Sequence, residues 1–393
     1  MVLILLSDLI ASTFGMGIFA YFPRYLLNLN VDMVVIQLFV TLFIFTTVLF
    51  PPLIGRFSDK IQHRALLFKF GAAGICVSLF LLTTVISLIL VLVLLFTYGF
   101  FRAFERLKIV LFAELVENDS RFIAYDAAII ALGWFIGAFS TGLFVEMFGI
   151  EQYFFFLLII SLVNLVVILF IKEDRSIILE RSNNKNESLE ENNLIEQKEI
   201  DPISRTIYPS LYFRNFATRP IMAVLAIIMF IHISSDTQIG FLIGINFLIQ
   251  FFLNILLGHA VKDNEERLKW IMAIGYAFSV ITIFGWIIAT DFWSFLIFQI
   301  TVSLSYAMFY TATQIYVNKH TTPQNKGKYV GYMQMSSQMG AFTGGLAFSF
   351  LLIIYGDYYA AMWFMIAFPV ISTLIIIFKF ESKEDKFVAL KYK

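Results

Sequence analysis

Charge is scarce in this chain. Asp, Glu, Lys and Arg make up 14% of its 393 residues, 28 basic against 28 acidic, where soluble domains carry about 25%. That excludes an ordinary soluble domain, and no nucleic-acid partner is expected. Cysteine is reduced to one, Cys76, so no intrachain disulfide is possible. Four histidines and one cysteine offer no metal spacing, and neither HExxH nor GxxxxGK[ST] occurs. No metal, no cofactor, no enzyme activity and no direct ATP drive are therefore expected. The N-terminus lacks a basic n-region, and its apolar run continues to about Tyr21. That length predicts a first membrane span in preference to a cleaved signal peptide.

What the chain has in abundance is apolar sequence, 60% of residues with 46 Phe among them, against about 45–50% in soluble proteins. It comes in runs long enough to cross the ~30 Å hydrocarbon core of a bilayer as helices. The sequence thus predicts an all-α polytopic membrane protein whose solvent is lipid. Spans are predicted at 3–24, 32–54, 66–86, 88–112, 123–147 and 153–171, and again at 219–235, 239–259, 268–289, 292–317, 328–354 and 358–380. Residues 1–171 then form an N-terminal six-helix bundle and 219–380 a C-terminal one. Between them 172–218, rich in Asn and alternating charge, is a linker too polar to build a core, and 381–393 is a charged tail. With both termini cytoplasmic, every Lys and Arg except Arg24, Arg102, Arg106 and Lys108 falls in a cytoplasmic segment, as the positive-inside rule requires.

Two stretches carry a resemblance. Gly55-Arg-Phe-Ser-Asp59-Lys60-Ile-Gln-His63-Arg64 follows Pro51 and Pro52 and is predicted to be a short charged loop between the second and third spans. It resembles the G-x-x-x-D-[RK]-x-G-[RK]-[RK] signature of the major facilitator superfamily. Gly55, Asp59, Lys60 and Arg64 match; Gln62 replaces the second glycine and His63 a basic residue. Gly133, Gly137 and Gly142 resemble the fifth-helix G-x-x-x-G-P-x-x-G-G signature of facilitator exporters, with Ala138 for the proline and Thr141 for the first paired glycine. The halves echo each other: one shift lays Arg121 over Lys328, Gly133 over Gly340 and Gly137 over Gly344. Small residues at such spacing let membrane helices approach closely, so these four glycines are predicted to pack helices. Gly258 to Asp263 stands where the second half would repeat the charged signature, and the seventh span reads as short. The resemblance implies two six-helix bundles, a solute site near the midplane, rocking-bundle alternating access and a monomer in a cell membrane. It also implies that Asp59 latches onto the start of the eleventh span, near Lys328 to Tyr332, where a carboxylate meets a helix dipole.

Ionisable residues at membrane depth are costly and mark function. On the fourth span, spacings of three and four put Tyr98, Arg102, Glu105 and Arg106 on one face. Asp8 lies at comparable depth on the first span. The resemblance implies that these four charges meet across a cavity, where protonating Glu105 or Asp8 would free an arginine for an anionic group on the substrate. A static ion-pair cluster, with Lys108 reaching to the interface, is the alternative. Gln299, Ser303, Tyr306, Tyr310 and Thr313 form a polar stripe on the tenth span, either cavity wall or helix–helix glue. Asn246, Gln250 and Asn254 form a similar stripe on the eighth, and Trp134 is a further aromatic cavity candidate. The resulting expectation is proton-coupled secondary transport of a small organic solute, with efflux favoured over nutrient uptake. A receptor or scaffold without transport, or a lipid scramblase, remains as an alternative.

Overall fold

A computed structural model of the chain describes residues 1–61, 63–85, 87–116, 120–173, 203–260, 265–321 and 323–380. The tail, most of the linker and the Lys262–Asp263 part of the second charged signature lie outside the described residues. Among the described residues there are fourteen α-helices: α1 (Val2–Asn28), α2 (Met33–Ile61), α3 (Arg64–Leu82), α4 (Leu88–Glu105), α5 (Leu107–Leu115), α6 (Ser120–Phe148), α7 (Tyr153–Leu169), α8 (Ile207–Phe230), α9 (Asp236–Ala260), α10 (Glu265–Ile288), α11 (Phe292–His320), α12 (Pro323–Tyr355), α13 (Tyr358–Met365) and α14 (Ala367–Lys379). They make twelve apolar spans, because α4 with α5 and α13 with α14 each form one crossing. Lipid offers no partner to backbone N–H and C=O groups, so a chain this apolar must satisfy them within helices.

Both interruptions have local causes. Pro369 cannot donate to the carbonyl of Met365, and the helix breaks there, between α13 and α14. At Arg106 no proline is present; the Ile109 N–H reaches the Arg106 carbonyl at 3.1 Å, a tighter turn inside the crossing.

Three span expectations need correction. The predicted loop at Gly55–Arg64 is mostly helix, since α2 runs through Pro51 and Pro52 to Ile61 and α3 begins at Arg64. Charge marks where the chain leaves lipid, not where a helix must end. Glu173 continues that logic: its carboxylate accepts from the Ala65 N–H at 3.0 Å, an anion at the N-terminus of α3. The seventh crossing starts at Ile207 instead of 219 and has 24 residues, so it is not short. Arg214 and Arg219, counted from sequence with the cytoplasmic segments, therefore lie inside α8.

The chain divides into two compact units. The first takes residues 1–14, 46–133 and 152–200, and in it α3 packs on α4, α5 and α7. The second takes 15–45, 134–151 and 201–393; there α10 packs on α11 and α14, and α8 on α12 and α14. The third crossing against the fourth and sixth thus finds its echo in the ninth against the tenth and twelfth.

Candidate functional site

In the first unit, charge gathers where α1, α4, α5 and α6 supply it. The α4 side chain of Arg102 donates from Nη1 to Glu105 Oε2 at 2.6 Å and from Nη2 to the Ala11 carbonyl at 3.0 Å, with Phe14 beneath its guanidinium at 5.0 Å. Lys108 bridges Glu105 and Asp8, its Nζ 3.2 Å from Asp8 Oδ1. It also donates to Ser7 Oγ at 2.7 Å, which donates in turn to Asn164 Oδ1 at 2.8 Å. Asp126, on α6, brings its carboxyl within hydrogen-bonding reach of Asp8. One oxygen of each, Asp8 Oδ2 and Asp126 Oδ1, accepts from no donor.

The structure brings Arg102, Glu105 and Asp8 together around Lys108 and departs from the sequence expectation in two places. Lys108 does not reach to the interface; it is 1% exposed and holds the two acids together. Arg106 does not share the face of Glu105: the tight turn at the end of α4 leaves it exposed while Glu105 is fully buried. Tyr98 is buried one turn before Arg102.

In the second unit the tenth-span stripe, on α11, splits by role. Ser303 Oγ contacts Asn246 O and Oδ1 on α9 at 3.0 and 2.9 Å, and Gln250 donates to Asn246 at 2.6 Å. The Ser303 bonds are interhelical, as is Thr311 to Asn254 at 3.2 Å, while the Gln250 bond lies within α9. Gln299 is buried beside them with its Nε2 unpartnered. Tyr306 and Tyr310 instead stack at 5.0 Å and line a cavity with Arg219 and Asn215 of α8. Trp134 meets Phe247 edge-on at 5.0 Å, and His232, at the end of α8, contacts the Tyr359 hydroxyl at 2.7 Å.

The same unit holds a junction at the start of α9. Tyr21 donates to the Asp236 carbonyl at 2.5 Å, Arg24 lies 3.8 Å from the Asp236 carboxylate, and Glu146 accepts from Ser235 Oγ at 2.6 Å and the Thr237 N–H at 2.7 Å. A Cβ at Gly240 would fall 2.5 Å from the Ala138 carbonyl and 3.1 Å from Gly142 Cα, so α6 and α9 touch backbone to backbone.

Of the charged signature, Gly55 has open space around it, Lys60 is exposed and Arg64 half-buried; the Asp59 side chain lies outside the described residues. Gly133 and Gly137 are buried, and a Cβ on Gly133 would sit 2.5 Å from the Leu9 carbonyl of α1. Gly340 and Gly344 press in the same way on the carbonyls of Tyr212 and Phe216 on α8.

The sequence profile described as Major Facilitator Superfamily matches residues 4–235 and 211–390. The chain belongs to that superfamily. Solved structures with its fold include a mutant of the nucleoside transporter NupG, at 10% identity and TM-score 0.72, covering 96% of this chain and 98% of the other. A POT family transporter in complex with 5-aminolevulinic acid shares 10% identity at TM-score 0.75, covering 95% and 94%. The human organic anion transporter TETRAN shares 12% at TM-score 0.65, covering 95% and 98%. No curated protein sequence matches the chain. This facilitator is accordingly a multi-pass integral membrane protein with a transporter fold.

Sequence reasoning missed two further charged residues of this facilitator. Asp126 stands in the first turns of the fifth span, next to polar Asp119-Ser-Arg sequence that reads as a loop. Arg214 sits in Tyr212-Phe-Arg-Asn-Phe216, where aromatic residues at helical spacing were the available signal that the membrane helix had already begun.

Proposed function

We propose that this facilitator is a secondary active transporter that exchanges protons for a small organic solute by alternating access, in the direction of export. The observation that carries the proposal is the buried set of three carboxyls, Asp8, Glu105 and Asp126, against two cations, Arg102 and Lys108. With all five ionised, one negative charge would be left over, and an uncompensated buried ion costs several kcal/mol. Arg106 follows on the same span, but its side chain is exposed and lies outside this buried set. One proton shared between Asp8 and Asp126 removes the excess and supplies the donor that their facing oxygens lack. A site that is neutral only with one proton bound is what coupling requires. The Lys and Arg distribution supports a cell-membrane protein with cytoplasmic termini and linker, and the Gly133, Gly137, Gly142 series supports export.

The test uses the full chain in proteoliposomes loaded with a pH dye and challenged with pooled organic solutes under imposed gradients. Solute-dependent proton movement is expected. Asp126→Asn, which keeps the shape of the side chain, should reduce it at least tenfold while leaving solute exchange between the two sides intact. No solute-dependent proton flux under any gradient would sink the proposal.

A further inference from the structure

The second unit contains two arginines that no carboxylate meets among the described residues. Arg214 is 1% exposed on α8. Its Nε and Nη1 rest on Ser279 Oγ and Asn215 Oδ1, each at 3.2 Å, and its guanidinium lies 4.5 Å from the centre of the Phe309 ring. All of these partners are neutral, and Nη2 has none. Arg219, just over one turn along the same helix, lines the adjoining cavity together with Tyr306, Tyr310 and Gln334. Among the described residues no carboxylate pairs with either arginine.

Two guanidinium groups this close repel each other, and in a membrane span each carries a desolvation penalty. The first unit shows the other way of handling such charge, with a carboxylate within 3.2 Å of both Arg102 and Lys108. The arrangement around Arg214 and Arg219 omits that step. Among the described residues nothing supplies the missing counter-charge.

We infer that this cavity binds the anionic group of the transported solute, a carboxylate or phosphate, with Arg219 as its direct partner and Arg214 as a buried positioning charge behind it. The inference rests on the reading of the chain as a solute transporter and names the class of solute. The cavity measures about 50 Å³, room for a few water-sized groups at ~10–15 Å³ each. That is room for a charged head. The stacked Tyr306 and Tyr310 rings form an apolar wall beside that head, suited to a planar or aromatic body. Tyr310 and Gln334, whose side chains are within hydrogen-bonding reach of each other, give the oxyanion neutral donors besides the guanidinium, and guanidinium meets carboxylate and phosphate oxygens in a two-pronged geometry that lysine lacks.

The experiment measures binding by the purified full chain in detergent, using benzoate and phenylphosphate as probes and benzyl alcohol and benzylamine as neutral and cationic controls. The anions are expected to bind at least tenfold more tightly than either control, and the preferred anion identifies the headgroup. Arg219→Gln should abolish that preference while benzyl alcohol binding stays as it was; Arg219→Lys should restore part of it, with thermal melting confirming that both variants fold. Equal binding of all four probes, or an anion preference that survives in a folded Arg219→Gln protein, would overturn the inference. Failure of the transport reading looks different. Binding without any proton flux in vesicles rejects transport and retains the site, whereas flux without an Arg219-dependent anion preference rejects the site and retains transport.

Discussion

Lys108 meets Asp8, Glu105 and Ser7 and so keeps a full charge away from lipid and water alike, whereas Arg214 is equally buried among neutral partners. Neither burial was legible one residue at a time. A lysine near the end of an apolar run is normally drawn out to the interface, and only the pair of acids supplied by α1 and α4 reverses that. A residue exposed at the other extreme shows a simpler rule. Asp291 caps α11, accepting from the Ser294 N–H at 3.1 Å and the Trp293 N–H at 2.8 Å. These bonds, the Ser294 one first, hold its carboxyl below the usual value. A depressed carboxylate contributes stability above its unfolded value of about 3.9 and loses it as pH falls through the folded value. Amide exchange at Trp293 and Ser294, taken relative to the intrinsic rate at each pH, should therefore be slow at neutral pH and lose that protection, becoming fast on the same scale, below pH 4. Asp291→Ala should show the fast exchange already at neutral pH. Slow exchange in that variant would mean the cap does not hold the turn.

At the scale of the helix, carbonyls and glycines explain more than side chains do. Pro220 inside α8 cannot donate to the Phe216 carbonyl, and Gly344 of α12 fills the space beside that carbonyl so tightly that a Cβ there would collide with it. Gly133 and Gly340, which recur in sequence, each lie against a backbone carbonyl of a neighbouring helix, the contact that small residues at such spacing permit. The beginnings of α8 and the end of α2 were not legible, since hydropathy reports the boundary of lipid and these helices cross it. Gly344→Ala should destabilise the protein by about 1–3 kcal/mol, the range for overfilling a packed contact, seen as a lower melting temperature in detergent. Gly331→Ala, on the same helix but facing open space, is the matched control and should melt like the parent. Equal melting of the two variants would show that the α8–α12 contact tolerates a methyl.

At the scale of the whole molecule, the twelve crossings and their order could be read from the lengths of apolar runs alone, while contacts between distant crossings could not. The junction of Tyr21, Arg24, Gly142, Glu146 and Gly240 around Asp236 joins helices from opposite halves of the sequence, and none of its pairings is a repeat or a motif. It closes one end of the second unit with backbone packed on backbone. Gly142→Val cannot fit beside Tyr21 and the Asp236 carbonyl and should force that end apart. A cysteine placed at buried Ala20 reports it, since native Cys76 is also buried. Labelling of Ala20→Cys by a polar maleimide should be several-fold faster in the Gly142→Val background, and an unchanged rate would mean the glycine contact does not seal the end.

The odd number of charges among Asp8, Arg102, Glu105, Lys108 and Asp126 also has an electrical meaning. If one proton enters for each monovalent anion that leaves, two positive charges in effect move inward per cycle, and a resting potential of 100 mV, negative inside, contributes about 4.6 kcal/mol to the expulsion. Carried in the same direction, the same two partners would cross with no current at all. A patch of membrane under voltage clamp would thus read the stoichiometry of this cluster as amperes.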